Sequence, residues 1–209
     1  METRLALDSK AKQLNLAFKK KFVHSTDTEL KVQGRLNTTN AAATVNTSLN
    51  KYFYLGSSVV KPNEAYQPDT RLRVGLGAKA STSSDDVTIS LNAKKKMVLN
   101  RVQHLTRNRV VIDSYTHAVA RVHYDFNPRS ETWRGEASAC LSHAVLRFTE
   151  DQDLRVTAGV RAPLTQHSVG QPEPFLRVQA RRPSGKACAE NCWTLNVDRH
   201  GGWNVLYDL

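Results

Sequence analysis

The chain has 209 residues, with 30 Lys plus Arg against 19 Asp plus Glu and a formal net charge of +11. That size suits one domain or two small ones, and the surplus of cations points to a negative partner. No run approaches the roughly 18 consecutive apolar residues of a membrane helix, which excludes a helical membrane protein; a barrel stays open, because alternating lipid-facing and lumen-facing side chains hide its membrane signal in a low mean hydropathy.

Met1 to Leu7 contain no apolar signal core, and Glu2 and Asp8 do not suit an acid-poor transit sequence, so no cleavable address is expected. From there period two recurs almost everywhere and period 3.6 almost nowhere, which predicts an all-β chain. An opening strand is expected over 3–9. Over 12–21, Leu14, Leu16 and Phe18 oppose Asn15, Ala17, Lys19 and Lys21. After a turn at 23–27, Leu30, Val32, Gly34 and Leu36 oppose Lys31, Gln33, Arg35 and Asn37. The strand over 43–54 fits either way round, since Lys51 interrupts one face and Asn46, Ser48 and Asn50 the other. Over 70–80, Leu72, Val74, Leu76 and Ala78 oppose Arg71, Arg73 and Lys79; over 86–95, Val87, Ile89, Leu91 and Ala93 oppose Thr88, Ser90, Asn92 and Lys94. Lys94-Lys95-Lys96 reads as a solvated strand end.

Residues 109–125 set Val110, Ile112, Ala118, Ala120, Val122 and Tyr124 against Asp113, His117, Arg121 and His123, in a long strand with room for a bulge. Residues 132–149 alternate from Trp133 to Leu141 and change parity by Ala144, Leu146 and Phe148, as a bulge requires. Leu154, Val156, Ala158 and Val160 oppose Arg155, Thr157, Gly159 and Arg161, and Leu176, Val178 and Ala180 oppose Arg177, Gln179 and Arg181. The chain ends in a hairpin, with Trp193, Leu195, Val197, Trp203, Val205, Tyr207 and Leu209 on one face and His200-Gly201-Gly202 at the turn. Links rich in Pro, Gly, Ser and Asn are expected at 56–68, 97–108, 163–174 and 183–191. The total is about 12 strands, an even number typical of single-chain membrane barrels, and they occupy residues 1–209 as one transmembrane antiparallel β-barrel domain. Cys140, Cys188 and Cys192 read as free thiols ahead of a disulfide across the 188–192 loop, and with no second Cys or His pair at zinc spacing no metal or other cofactor is expected.

The charge occupies one face. Opposite the aliphatic residues stand Lys19, Lys21, Lys31, Arg35, Arg71, Arg73, Lys79, Lys94, Arg121, Arg155, Arg161, Arg177 and Arg181, while acids there are few, chiefly Glu29, Asp113 and Asp198. On a single strand this is how any half-buried sheet stays soluble. Repeated with one sign on strand after strand, it departs from the mixed charge of a soluble surface. If the aliphatic side faces outward around a closed sheet, these cations share a lumen whose low-dielectric wall focuses the field, and rings of Arg and Lys favour anions and phosphates. The expectation is an anion-selective channel with a diffuse pore-lining surface rather than one tight pocket.

A soluble basic β-protein binding RNA or another polyanion is the runner-up. Stacking recognition needs aromatics among the cations, whereas Phe18, Trp133, Phe148, Trp193, Trp203 and Tyr207 mostly share the aliphatic side. An enzyme comes third: Asp113, His117 and Arg121 follow one another at i, i+4 on a strand face, about 13 Å apart, too far to share a proton. No nucleophile elbow, P-loop or HExxH accompanies them.

The chain also resembles the small outer envelope pore proteins of chloroplasts, of the outer envelope pore protein 21 type. The likeness is carried by Met1-Glu2-Thr3-x-Leu5, Lys19-x-Lys21-Phe22, Thr28-x-Leu30-x-Val32-x-Gly34-x-Leu36-x-Thr38, Asp151-Gln152-Asp153-Leu154-Arg155, Trp193-Thr194-x-Asn196 and Trp203-Asn204-Val205-x-Tyr207-Asp208-Leu209. That resemblance implies a multi-pass barrel in the plastid outer envelope membrane, in contact with lipid and not with nucleic acid. It implies passage of triose phosphates, phosphoglycerate and inorganic phosphate, with ATP competing for the lumen and modulating the current. It gives a lumen role to Lys19, Lys21 and Arg155, the basic positions on matching motifs; the other cations rest on strand phase. A homo-oligomer stays open. The loops at 56–68, 97–108, 163–174 and 183–191 differ from the family, so no loop contact is carried over.

Overall fold

A sheet with one apolar face and one polar face, and no helix to cover it, leaves two raw edges; joining them satisfies the backbone without water. The computed structural model describes residues 2–8, 13–24, 27–38, 42–56, 70–106, 109–149, 152–181, 192–199 and 201–208. Among them no helix is long and apolar enough to cross a membrane. Twelve strands follow one another: β1 (Glu2–Asp8), β2 (Gln13–His24), β3 (Thr28–Asn37), β4 (Ala43–Leu55), β5 (Leu72–Ser81), β6 (Ser84–Thr106), β7 (Arg109–Asn127), β8 (Thr132–Thr149), β9 (Gln152–Thr165), β10 (Glu173–Arg181), β11 (Cys192–Asp198) and β12 (Trp203–Asp208). Each pairs antiparallel with the next, and β1 pairs with β12, Leu5 opposite Tyr207, so the barrel closes.

Alternation sorts the two sides. Leu16, Phe18, Leu30, Leu49, Phe53, Leu76, Leu91, Trp133, Leu141, Val160, Leu176, Trp193 and Trp203 lie exposed on the outer wall. Asn15, Asn50, Ser90, Ser142, Thr157 and Thr194 are buried on the inner side. Inside, Tyr115 and Ala144 with Leu146 form a small apolar cluster, and Val119 is buried two periods of the alternation away. Closed hydrogen-bond ladders, with lipid against the wall, therefore take the place of an apolar core. The barrel has two rims. Both termini lie on one, with the turns that follow the even-numbered strands; the turns after the odd-numbered strands lie on the other. The last of these follows β11, where the Asp198 amide donates to the Gly202 carbonyl (2.9 Å), the Gly202 amide donates to Asp198 Oδ1 (2.8 Å), and Gly201 supplies a φ of 71°.

The wall differs from the sequence expectation in several places. The link expected at 97–108 is mostly strand, because the alternation resumes past the lysines, with Met97 and Leu99 outward and Lys96 and Val98 inward. Lys94-Lys95-Lys96 is thus mid-strand and not a strand end. Leu99 on β6 and Asp113 on β7 are the unpaired residues of two bulges. In β8 no parity change follows Leu141: pairing with β7 holds from Thr132 to Val145, Ala144 and Leu146 turn inward around Tyr115, and the irregularity comes later. There Arg147 takes a φ of 52° and its amide donates to Asp153 Oδ1 at 2.7 Å. In β4 the register puts Asn46, Ser48, Asn50, Tyr52 and Tyr54 inside and Lys51 outside with Leu49 and Phe53. The turn at 23–27 is shorter than expected, since β2 continues to His24, and the link at 163–174 shrinks to 166–172. The link at 183–191 lies outside the described residues, as does that at 56–68 beyond Gly56. Cys140 is a free thiol, Cys192 is buried at the start of β11, and Cys188 lies outside the described residues.

Gly77 of β5 faces Asn50, and a Cβ there would run into the Leu49 carbonyl oxygen and the Asn50 amide. The carbonyl belongs to the paired strand and has no freedom to swing aside. Gly77→Ala is expected to destabilise the barrel by about 1–3 kcal/mol, read as an earlier loss of the compact band when samples are heated before electrophoresis. An unchanged transition would mean that β4 and β5 can part without cost.

Candidate functional site

The polar phases of neighbouring strands meet inside the barrel in separate groups. On β5, Gly75 and Gly77 put no side chain inside; on β4, Tyr52 stands opposite Gly75 and Tyr54 opposite Arg73. The Arg73 guanidinium lies 4.4 Å over the Tyr52 ring and that of Arg71 4.4 Å over Tyr54. Lys94 of β6 stands opposite Arg73, with Lys96 two residues further on. Arg71, Arg73, Lys94, Lys96 and Tyr54 line one cavity of about 100 Å³. Arg73 Nε is buried there with no acceptor among the described residues. An aromatic face orients a guanidinium but supplies no counter-charge, so its edge donors stay available to the oxygens of an anion.

A second group lies beside the closing seam, where Arg4, Lys19, Arg35, Asn46 and Asp208 line a cavity of about 220 Å³. Arg35 Nε donates to Asn15 Oδ1 at 3.3 Å, and Arg4 forms a two-pronged pair with Asp208, its second nitrogen at 3.0 Å. Next to it Lys21 stands opposite Lys31 in register, and Lys21 Nζ is 4.0 Å from Glu29. Lys31 and Lys79 share a third cavity of about 320 Å³ with Asp86. Lys79 also reaches Asp125 (2.8 Å) and His123 Nε2 (2.6 Å).

A fourth cavity, about 390 Å³, brings together Arg121, Arg155, Arg161 and Arg177 from β7, β9 and β10. Arg155 Nη2 donates to Tyr115 Oη (2.7 Å) and Arg177 Nε to Asn196 Oδ1 (2.6 Å), both neutral acceptors. Arg161 lies 3.9 Å from Glu173 and 5.5 Å over the Phe175 ring. His117 lines the same cavity, stacked on Tyr115. Arg181 closes β10 opposite Asp153 in register, and its side chain lies outside the described residues. Among the described residues, no group of three or more His, Cys, Asp and Glu could hold a metal ion.

Sequence reasoning missed several inner groups. Arg4 and Lys96 join the cations, and Tyr52, Tyr54, Tyr115 and Phe175 are aromatics on the inner side. The inner face also holds more acids than Glu29, Asp113 and Asp198, the side chain of Asp113 lying outside the described residues. Asp125, Glu136, Glu173 and Asp198 all sit near the turns after β7, β9 and β11, on the rim away from the termini. Of these only Asp198 is read from the sequence; Asp125, Glu136 and Glu173 each lie within a few residues of a turn, where the sequence phase is weakest.

A closed barrel with charged groups inside an apolar wall narrows the choice to a pore, and comparison with known proteins decides it. The family of the chloroplast outer envelope pore protein OEP21 matches residues 3–209. The chain belongs to this family. It is 26% identical over 212 residues to outer envelope pore protein 21, chloroplastic, of Pisum sativum, with 100% of both chains covered. It is 23% identical over 209 residues to outer envelope pore protein 21A, chloroplastic, of Arabidopsis thaliana, again with 100% of both covered. Among solved structures the KdgM porin superposes with a TM-score of 0.53 at 8% identity, over 99% of this chain and 95% of that one. The NanC porin gives 0.53 at 8% identity, over 99% and 97%. Those porins share the fold. As a member of the OEP21 family, the protein is a β-barrel pore of the chloroplast outer envelope and not an enzyme.

Proposed function

We propose that the barrel is an anion-selective channel for phosphorylated metabolites, namely triose phosphates, phosphoglycerate and inorganic phosphate, and that ATP binds in its lumen and modulates the current. One observation carries the reading: cations of β2, β3, β5, β6, β7, β9 and β10 converge on the inside of a single closed wall. Cations in that position attract anions from solution and repel other cations, while guanidinium edges suit phosphate oxygens. In this reading Lys19, Lys21, Lys31, Arg35, Arg71, Arg73, Lys79, Lys94, Arg121, Arg155, Arg161, Arg177 and Arg181 line the path. Their spread over separate cavities suits conduction, since a solute handed between several weak sites leaves more readily than one held in a tight pocket.

The test is the reversal potential of the purified protein in planar bilayers under a potassium chloride gradient, with and without millimolar ATP or phosphoglycerate. The expected result is a potential near the chloride equilibrium value, with current reduced by either phosphorylated solute. A potential near the potassium value would refute anion selectivity, and a current indifferent to both solutes would refute binding in the lumen.

A further inference from the structure

We propose that Lys20, Lys51 and Lys95, on the outer wall, form a strip that binds the phosphate headgroups of anionic membrane lipids. All three are exposed and stand in the outward phase of β2, β4 and β6, where the alternation otherwise presents apolar side chains. Each is flanked two residues away on both sides by apolar neighbours of the same face: Phe18 and Phe22, Leu49 and Phe53, Ala93 and Met97. Lys20 Nζ lies 4.9 Å over the Phe22 ring.

The three are placed by one repeated step. Lys20 pairs with Val32 and Val32 with Thr47, four residues before Lys51; Lys51 pairs with Leu76 and Leu76 with Leu91, four residues before Lys95. Each step therefore goes two strands on and four residues towards the rim of the termini, about 16 Å along the wall for strands about 4.8 Å apart and a rise of about 3.3 Å per residue. Rows of paired residues climb the wall the other way: from Tyr207, near the end of β12, the row through Leu5, Leu16 and Leu36 arrives at Ala43, the first residue of β4. At the strand tilt of about 35–45° of a membrane barrel the climb offsets more than half of the descent, so each lysine lies only about 3–5 Å nearer the rim of the termini than the one before.

A lysine facing lipid is unfavourable in mid-membrane and tolerated at headgroup depth, where its flexible stem reaches the interface. Three lysines within a band of about 5–11 Å, each on a stem long enough to reach the interface, fit headgroup depth. From β9 round through β12 to β1, the outward residues of the paired alternation include no Lys or Arg among the described residues, so the strip belongs to one side of the barrel. An amphiphile with an anionic head and acyl chains matches an ammonium set between apolar side chains. A second copy of the chain offering the same strip would instead oppose cation to cation. The proposal does not depend on what the interior conducts.

The test uses the full-length protein in nanodiscs of phosphatidylcholine with a minor fraction of phosphatidylglycerol, and native mass spectrometry of the lipids retained on release. The wild type is expected to retain phosphatidylglycerol preferentially, by about fivefold per lysine. The triple variant Lys20→Gln, Lys51→Gln, Lys95→Gln is expected to lose that preference, and the corresponding triple Arg variant to keep it. No preference in the wild type, or the same preference in the Gln variant, overturns the proposal. So does displacement of the lipid by inorganic phosphate, which would place it against interior cations, or a dimer found in place of lipid. Should the Gln variant fail to fold, the wild type alone decides: the preference must fall steeply at high salt, and a salt-independent preference rejects the strip.

Discussion

Arg71→Glu together with Arg73→Glu is expected to lower the preference of the channel for anions on the order of tenfold, moving the reversal potential from near the chloride value towards or past zero. The two guanidiniums stack on Tyr54 and Tyr52 and share their cavity with Lys94 and Lys96. Reversing both places two carboxylates among the remaining cations, so the local field is first cancelled and the guanidinium forks that suit phosphate are removed as well. ATP sensitivity should fall with selectivity if that cavity belongs to the solute path. The strand phase supplies an internal control. Lys96→Glu, on the inner side, should act in the same direction, while Lys95→Gln, one residue away on the outer wall, should leave the reversal potential unchanged. Equal effects at positions 95 and 96 would mean that the assigned phase of β6 is wrong.

Arg4→Ala is expected to destabilise the barrel by about 2–3 kcal/mol, and by more than Asp208→Asn. The pair bridges the seam, Arg4 on β1 and Asp208 opposite it on β12, with 8% of the Asp208 side chain exposed and 42% of that of Arg4. Removing the guanidinium strands a buried carboxylate, the more damaging half of such a break; the estimate is set below the roughly 3–5 kcal/mol of a fully buried pair because Arg4 is partly solvated. Asp208→Asn keeps the shape and leaves Arg4 one more cation beside Lys19 and Arg35. Urea titration of the folded protein in detergent micelles measures both. A smaller loss for Arg4→Ala than for Asp208→Asn would show that the carboxylate finds another partner.

The closed all-β wall was legible because most strands carry one unbroken aliphatic phase: Leu72, Val74, Leu76 and Ala78 leave no choice about where Arg71 and Arg73 go. β4 resisted because its outward phase includes Lys51, and a lysine among Leu49 and Phe53 is what a reader of alternation counts against a lipid face. With its direction open, Tyr52 and Tyr54 could not be recognised as the rings beneath Arg73 and Arg71. The lysine triplet hid the middle of β6 in a different way, since three cations in a row resemble a solvated end until the register separates Lys94 and Lys96 from Lys95. In β8 the inward Ala144 and Leu146 imitated a change of face, because they pack on Tyr115 inside a mostly polar interior. Arg4 carried a readable signal, Thr3, Leu5 and Leu7 alternating with it, but no pattern in one strand reveals a partner 204 residues away.

The pairing of β1 with β12 also bears on how the barrel is made. All other strand pairs join neighbours in sequence and form as hairpins, each within about 1–10 μs in isolation. The last pair brings together β1 and β12, so it cannot form until β12 has been synthesised. Until then the nascent protein has two unsatisfied edges, neither of which the hydrocarbon can solvate. Assembly is therefore all or none with respect to chain length. A truncation that removes only β12 should yield an aggregating chain rather than a smaller pore, and the wall cannot close in the membrane before β12 is made.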